Sequence, residues 1–304
     1  MVIHTASVVD FGNSDSRHIL SVNVEGTRVL LRAAAAAGVR AFVYTSSCDA
    51  VVVDEVPAVM EGVGDTDGGW KHADVRHGVY HTSKVEAELA CAAFDPEVAR
   101  SLPAHKQKAA DTRLAPSQDA PSMRVVVMRP PGRSLPKVAQ PRCLLMYRAG
   151  IYGERSLYHI SSELAAARDL GRGNLFAIGA GDSVFQRCYA GNVAHAHLCA
   201  AAALLRPIAP TQRLFNVTDD TPIVNFFTFA EPYLRGKGYQ VPIFSIPWCI
   251  IRPIAVIVNA INAFFLLLKL GNKHLLLTPM AVDGKMWSDC FPVPFFTTAV
   301  QVRV

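Results

Sequence analysis

The pattern strand, helix, strand in the first 45 residues constrains the fold more than any other feature of the sequence. Residues 1–7 and residues 41–45 are short apolar runs, so both are predicted as buried strands. Between them, Asn23-Val24-Glu25-Gly26-Thr27 opens a helix predicted over residues 28–37, which is rich in Ala and Leu, and Gly38 ends it. Two buried strands joined through a helix form a right-handed parallel unit.

In a parallel sheet, the residues that carry chemistry lie beyond the carboxyl ends of the strands. Here, His4-Thr5-Ala6-Ser7 closes the first strand and Ser46-Ser47 follows the second. We therefore expect the functional site at this edge of the sheet.

Tyr80 and Lys84 are the residues that point most directly to catalysis. They are four positions apart in a helix predicted over residues 80–93, so they lie on one face of it. An ammonium group there favours the phenolate and lowers the pKa of the Tyr80 phenol from its usual value of about 10. Such a phenol can pass a proton to or from a substrate oxygen while hydride moves to or from a cofactor, and a nearby Ser hydroxyl can hold the same oxygen. The same spacing also occurs in helices that only pack a Tyr and expose a Lys.

The rest of the chain alternates between predicted elements and stretches without a pattern. Strands are predicted over residues 124–128, 174–179 and 214–217, with Asp219-Asp220-Thr221-Pro222 as a turn and helix start. Helices are predicted over residues 161–170, from 191 to Leu205, and over 226–239 with Gly238 at its end. Residues 54–78 are predicted as a polar loop, residues 95–122 as a long surface insertion outside the core, and residues 131–148 have no clear period.

The composition excludes several classes of protein. Just over half of the 304 residues are hydrophobic and 18% are charged, which excludes a disordered chain. The net charge of +5 is modest and no basic run is interleaved with aromatics, so no nucleic-acid partner is expected. The seven Cys form no Cys-x-x-Cys pair and are odd in number, which favours reduced thiols facing the cytosol. No signal peptide is predicted. His195 and His197 are two positions apart and lie on different helix faces, so they are predicted as packing or capping residues and not as metal ligands.

Residues 243–268 are almost wholly apolar. Their uncharged core, residues 253–268, is shorter than the ~20 residues of a spanning helix and contains Pro253, Asn259 and Asn262. This pattern favours a helix that lies in the membrane interface, and a buried core helix is the alternative.

The motifs taken together resemble a known family. They occur in family order along the chain: Val2-Ile3-His4-Thr5-Ala6-Ser7, Asn23-Val24-x-Gly26-Thr27, Tyr44-Thr45-Ser46-Ser47, Tyr80-x-x-x-Lys84, Arg129-Pro130, Gly150-Ile151-Tyr152-Gly153, Asn192-Val193-Ala194-His195-Ala196-His197 and Thr218-Asp219-Asp220-Thr221-Pro222. The chain resembles the extended short-chain dehydrogenases and, within them, the 3β-hydroxysteroid dehydrogenase family, in particular its sterol-4α-carboxylate 3-dehydrogenase (decarboxylating) branch. The apolar stretch after residues 246–248, followed by Leu277-Thr278-Pro279-Met280, is similar to the membrane-associated tail of that branch.

The resemblance implies a role for individual residues. Tyr80 resembles the catalytic acid/base, and Lys84 the partner that lowers its pKa and binds the nicotinamide ribose. Ser47 matches the hydroxyl that orients the substrate oxygen, with Ser46 as the alternative, and Asn23 the residue that holds the active-site helix. The expected contacts with NAD or NADP come from Tyr80 and Lys84, and also from Thr5, Ala6, Pro130 and Ile151.

The sequence departs from the family pattern in three places. The Gly-x-x-Gly-x-x-Gly turn, its helix and the acidic residue for the adenosine ribose should precede His4, and the sequence does not contain them. That turn supplies backbone N–H groups for the pyrophosphate, so weaker dinucleotide binding is expected. Residues 131–148 interrupt the segment between Pro130 and Ile151 that is expected to contact the nicotinamide carboxamide. Residues 291–304 lack the family's closing pattern.

The resemblance therefore predicts an α/β fold: a Rossmann-like, doubly wound parallel sheet that lacks its first βαβ unit. Residues 1–205 are expected to form the incomplete dinucleotide-binding domain, and residues 206–304 a substrate-binding and membrane-associated region. The implied activity is NAD(P)-dependent oxidation of a sterol 3β-hydroxyl, with decarboxylation of a 4α-carboxysterol, at the endoplasmic reticulum membrane with the catalytic part in the cytosol. The alternatives are an inactive truncated paralogue, another extended reductase of the dihydroflavonol-reductase or epimerase type, and a non-catalytic binding protein. A homodimer is the alternative to a monomer.

Overall fold

The computed structural model describes residues 1–8, 15–51, 78–102, 122–131, 134–136, 150–154, 160–169, 172–175, 177–178, 183–185, 187–240, 245–247 and 250. The helices are α1 (Ser16–Leu20), α2 (Gly26–Ala36), α3 (Gly78–Phe94), α4 (Pro96–Ser101), α5 (Ile160–Asp169), α6 (Ala190–Leu205) and α7 (Phe226–Gly236). The strands are β1 (Val2–His4), β2 (Ala41–Thr45), β3 (Arg124–Arg129), β4 (Ser134–Pro136), β5 (Ile151–Tyr152), β6 (Ala177–Ile178), β7 (Ser183–Phe185), β8 (Cys188–Tyr189), β9 (Leu214–Asn216), β10 (Val224–Asn225) and β11 (Ser245–Ile246).

The main sheet is parallel, with the strand order β1-β2-β3-β9. In β2, Phe42 and Tyr44 face a core that includes residues of α2, α3 and α4, whereas Ala41 and Val43 face a core that includes residues of α6. Because successive side chains of a strand point to opposite faces, a sheet covered on both sides needs apolar residues at every position. The near-continuous apolar runs meet this need, and the predicted doubly wound parallel sheet is confirmed.

The helical segment before β2 begins earlier than predicted. It starts at Ser16, where the Asp15 side chain caps α1 by accepting a hydrogen bond from the Arg17 N–H. A π-helical turn, Ser21–Glu25, connects α1 to α2. Asn23 is therefore buried inside the helical segment rather than preceding it. Gly38 follows α2 with a φ of 68°, which confirms its role in ending that helix.

The predicted surface insertion at residues 95–122 is wrong for its first part. Helix α4 packs into the core through Val98, and Leu102 is buried in the same cluster. Asp95 holds this segment in place: it caps α4 and bonds the Val125 N–H and the Arg213 side chain, both within 3.0 Å. The interpretation failed because one capping carboxylate orders a segment whose composition alone suggests a loop. Residues 103–121 lie outside the described residues, as do most of residues 54–78.

Short strands and the helices α5, α6 and α7 follow β3 in the described part of the chain. β4 and β10 pair with β7 in an antiparallel sheet, so part of the patternless stretch 131–148 is strand. The helix predicted over residues 226–239 begins at Phe226, as predicted, where the Asn225 side chain caps it, and it ends at Gly236. Asp219 accepts from the Thr221 N–H, which makes its segment the predicted turn but no helix start. The domain boundary at residues 205 and 206 stays a prediction.

Within the described residues, no helix combines the length and the apolar character that crossing a bilayer requires. The predicted membrane-associated stretch 243–268 lies outside them except for residues 245–247 and 250. The four Cys of the described part are free thiols, Cys48, Cys91, Cys188 and Cys199.

Candidate active site

Tyr80 and Lys84 lie on the face of α3 that is turned towards the carboxyl ends of β1 and β2. The Lys84 Nζ is 5.7 Å from the centroid of the Tyr80 ring and 5.4 Å from that of Tyr44. It also donates a hydrogen bond of 2.9 Å to the carbonyl oxygen of Thr45, the last residue of β2. Lys84 is 3% exposed, so its ammonium is held in place by a carbonyl and two aromatic rings. The alternative of a solvated Lys is therefore wrong.

Asn23 connects this helix to the chain that leaves β1. Its side chain accepts from the Val8 N–H at 2.7 Å and donates to the Val8 carbonyl oxygen at 2.8 Å. It also donates to the Ser83 hydroxyl at 3.0 Å, and Ser83 donates to the Tyr80 carbonyl oxygen. Asn23 thus fixes the first turn of α3 relative to the segment that holds Thr5 and Ala6, as a residue supporting the helix should.

His4, the last residue of β1, contacts the helical segment that carries Asn23. Thr27 donates its hydroxyl hydrogen to the Asn23 carbonyl oxygen at 2.7 Å, so the His4 Nε2–H donates to the Thr27 oxygen at 2.9 Å. Burial, reinforced by the Lys84 charge, lowers the pKa of His4 to about 4. His4 is therefore neutral at neutral pH and adds no charge to the site.

Ser46 and Ser47 are both buried after β2, but their surroundings differ. Ser46 donates its hydroxyl hydrogen to the Glu88 carboxylate at 2.7 Å. That bond connects the Ser46 hydroxyl to α3, and the role of Ser47 in orienting a substrate oxygen stays a prediction. The backbone of Ser47 begins a short 3-10 turn, since its carbonyl oxygen accepts from the Ala50 N–H.

A buried ion pair lies one turn further along α3. The Arg129 guanidinium donates through Nε to one oxygen of Glu88 and through Nη2 to the other, both at 2.8 Å. The side chains of Arg129 and Glu88 are 0% and 1% exposed. This bidentate contact connects the carboxyl end of β3 to the helix that carries Tyr80 and Lys84.

The residues expected to contact a dinucleotide surround this edge of the sheet. Thr5 and Ala6 follow β1 directly and are exposed. Pro130 is buried after β3, with its carbonyl oxygen accepting from the Cys48 N–H at 2.9 Å. Ile151 packs against the core cluster that contains Met128. These positions lie near the carboxyl edge of the sheet, where ligands bind in such folds, and their contacts with NAD(P) stay a prediction.

The two His of the predicted capping motif have separate surroundings. The His197 Nδ1 donates to the Val193 carbonyl oxygen, which leaves its Nε2 to accept from the Thr45 hydroxyl at 2.7 Å. Burial lowers the pKa of His197 below its usual value. His197 is a packing residue, as predicted, whereas His195 is exposed and contacts Cys199. Nowhere in the described ranges do three or more His, Cys, Asp or Glu come together in a way that would hold a metal ion.

Sequence reasoning missed the supporting residues around Lys84. Glu88 follows Lys84 by four positions, as Lys84 follows Tyr80, so one helix face could have been extended by a turn. No local spacing could have predicted that Arg129 pairs with Glu88, because Arg129 is 41 residues further along the chain.

The chain is similar to known proteins of one family. The model of the 3-beta hydroxysteroid dehydrogenase/isomerase family matches residues 1–95 and 140–247. The 3beta-hydroxysteroid-dehydrogenase/decarboxylase isoform 2 of Arabidopsis thaliana is 30% identical over 246 residues, which are 79% of this chain and 34% of the relative. The sterol-4-alpha-carboxylate 3-dehydrogenase, decarboxylating, of Saccharomyces cerevisiae is 27% identical over 242 residues, 79% of this chain and 55% of the relative. The chain thus spans between a third and just over half of the length of these curated relatives.

Among solved structures, a UDP-galactose 4-epimerase superposes with a TM-score of 0.51 at 17% identity. The match covers 80% of this chain and 64% of the epimerase. At this identity the likeness establishes the fold of the extended short-chain dehydrogenases and nothing finer.

Proposed function

Because the chain belongs to the 3-beta hydroxysteroid dehydrogenase/isomerase family, we propose that it oxidises the 3β-hydroxyl of a sterol with NAD or NADP. The observation that carries this proposal is the placement of the buried Lys84 ammonium beside the Tyr80 ring and against the Thr45 carbonyl. A cation fixed there stabilises a phenolate. The proposal also follows the names of the curated relatives, which are sterol dehydrogenases.

In the proposed reaction, Tyr80 takes the proton of the sterol hydroxyl. Lys84 stabilises the charge on the Tyr80 oxygen, and the Ser47 hydroxyl orients the sterol oxygen towards it. NAD(P), when bound, supplies the acceptor for the hydride that leaves the carbinol carbon. Asn23 and the Glu88–Arg129 pair keep the helix and the strand ends in register around the reacting oxygen.

A 4α-carboxysterol is the finer substrate proposal, and the names of the relatives, which include decarboxylation, support it. Oxidation at C3 leaves a ketone next to the carbon that carries the carboxylate. The bond between that carbon and the carboxylate then breaks, carbon dioxide leaves, and the electron pair passes towards the ketone oxygen. No further redox step is needed.

Equilibrium binding of NAD(H) and NADP(H) to purified residues 1–304 tests the proposal, with nicotinamide fluorescence as the readout. Micromolar binding followed by sterol-dependent reduction of the cofactor is expected. Tyr80→Phe should keep the binding and lose about 10²–10⁴-fold in turnover. The proposal is wrong if the cofactor does not bind at millimolar concentration, or if Tyr80→Phe turns over as fast as the wild type.

Association with the endoplasmic reticulum membrane is a further part of the proposal, supported by the apolar sequence of residues 243–268. The chain should float with phospholipid vesicles in a density gradient, and a variant lacking residues 243–268 should stay at the bottom. Equal behaviour of the two chains in the gradient would contradict a membrane role for this segment.

A homodimer is also proposed. Sedimentation of the chain in detergent distinguishes a homodimer from a monomer.

A further inference from the structure

The face of α3 that carries Tyr80 and Lys84 continues with Glu88, and these three residues are spaced by four positions each. On a helix, a Lys and a Glu four apart attract each other, and inside a protein the attraction is stronger than in water. Lys84 is 3% exposed and Glu88 is 1% exposed. A Glu88 carboxylate without a cation of its own would draw the Lys84 ammonium away from Tyr80 by one turn.

Arg129 engages both oxygens of that carboxylate. Its Nε and Nη2 donate at 2.8 Å each, and the Ser46 hydroxyl donates to the same carboxylate. Lys84 Nζ meanwhile bonds the Thr45 carbonyl oxygen at 2.9 Å and faces the Tyr80 ring. The Glu88 charge is thereby balanced by Arg129 within a planar, bidentate contact.

Three other titratable groups near this face are neutral at neutral pH. His4, on β1, has a pKa of about 4 because it is buried next to Lys84. Tyr44, on β2, and Cys91, on α3, are fully buried, which raises the pKa of each well above its usual value. Lys84, Glu88 and Arg129 carry charges on or against this face, and the balance among these three charges contributes to the potential at Tyr80.

We infer that Arg129 and Glu88 are positioning residues for the proposed reaction: Arg129 binds the Glu88 carboxylate so that the Lys84 ammonium stays directed at Tyr80. The pair also holds the ends of β2 and β3 against the helix, since Ser46 bonds Glu88 and the carbonyl oxygen of Pro130 accepts from Cys48. The inference rests on the proposed function, because it assigns the pair to the oxidation in which Tyr80 accepts a proton.

Three variants of the full chain separate this electrostatic role from simple packing. Arg129→Gln leaves the Glu88 charge unbalanced, Glu88→Gln leaves the Arg129 charge unbalanced, and the double variant removes both charges at once. The readout is ultraviolet absorption of tyrosinate against pH, taken as the difference between each protein and the same protein with Tyr80→Phe. This measurement needs no turnover and reports the ionisation of Tyr80 itself.

In Arg129→Gln, ionisation of Tyr80 should move to higher pH by about one unit, since two helical turns separate Glu88 from Tyr80. It should move to lower pH in Glu88→Gln and return to within about 0.3 units of the wild type in the double variant. The pH profile of turnover should follow the same order. Where Arg129→Gln does not fold, the other two variants still test the inference, because the Tyr80 midpoint should lie at lower pH in Glu88→Gln and close to the wild type in the double variant.

Equal tyrosinate midpoints in all folded variants would overturn the inference and leave Arg129 and Glu88 as scaffold residues only. If the midpoints move as expected while the wild type oxidises no sterol, the proposed function fails and with it the catalytic role of the pair. Midpoints that stay fixed in an active enzyme overturn the pair's role alone. The two failures are therefore distinguishable.

Discussion

Asn23 donates a hydrogen bond of 3.0 Å to the hydroxyl of Ser83, a residue 60 positions further along the chain. The same amide pairs with both backbone polar groups of Val8. One side chain thus ties the segment after β1 to the helix turn between Tyr80 and Lys84. The relative placement of the proposed cofactor contacts and the proposed acid/base depends on this amide.

Asn23→Asp should weaken both the fold and dinucleotide binding. The carboxylate keeps the shape of the amide but cannot donate to the Val8 carbonyl or to Ser83, so buried acceptors lose their donor. We expect a loss of about 2 kcal/mol in the free energy of unfolding and a clear rise in the Kd for NADH. Urea unfolding and fluorescence titration measure these quantities. Glu25→Gln, an exposed change two positions away, should alter neither, and equal effects of the two variants would contradict the role of Asn23.

Ser46→Ala and Ser47→Ala should have different effects although the residues are neighbours. Ser46 bonds the buried Glu88 carboxylate, so its removal should cost about 1–2 kcal/mol of stability. Ser47→Ala should lower kcat for the sterol more than Ser46→Ala does, because it removes the hydroxyl proposed to orient the reacting oxygen. Thermal unfolding and steady-state kinetics of both variants test this assignment. A larger loss of kcat in Ser46→Ala would exchange the two roles.

His4 should make the protein less stable in mild acid. Its pKa is about 4 in the folded chain and about 6.5 when unfolded, so the unfolded state binds more protons between these values. Stability is therefore retained above pH 6.5 and lost as the pH falls towards 4, with about 2 kcal/mol lost between pH 7 and pH 5. His4→Gln keeps a donor for Thr27 and should reduce this dependence. Urea unfolding at both pH values checks the prediction, and an unchanged pH dependence in His4→Gln would refute it.

Glu163 should have the opposite pH dependence. Burial raises the pKa of its carboxyl to about 7, despite the nearby Arg187 guanidinium. The Glu163 carboxyl therefore binds its proton more tightly in the folded state than in the unfolded state. Its contribution to stability is complete at a pH below its pKa in the unfolded chain, and it is lost as the pH rises towards 7. Glu163→Gln should make the protein more stable at pH 7 relative to pH 5 than the wild type is. Glu231→Gln, which alters an exposed carboxylate on α7, is the matched control and should leave the pH dependence unchanged.

The sheet and the Tyr80–Lys84 pair were predictable because both depend on local patterns. Apolar runs of strand length specify buried parallel strands, and a spacing of four places two side chains on one helix face. Both patterns are visible within a few residues, as in residues 41–45 and in Tyr80-x-x-x-Lys84. Gly38 likewise marks the end of α2 by itself.

The parts that could not be predicted depend on contacts between distant residues. The Glu88–Arg129 pair joins positions 41 residues apart, and Asp95 bonds Arg213 over 118 residues. No local pattern records either partner. The start of the helical segment at Ser16 was missed for a related reason, since the buried Asn23 inside it satisfies its amide through Val8 and Ser83 rather than through a helix cap.

Asp95→Ala should be the most destabilising of the single changes named in this Discussion. The carboxylate caps α4, accepts the Val125 N–H of β3 and pairs with Arg213, and both charged side chains are at most 6% exposed. Removing it leaves the Arg213 guanidinium buried beside an unpaired backbone N–H, which should cost about 3–5 kcal/mol. Arg100→Ala, which removes an exposed ion pair on the same helix, should destabilise the protein far less. Urea unfolding of both variants measures the difference, and a loss below about 1 kcal/mol for Asp95→Ala would mean that residues 95–102 are a dispensable surface segment after all.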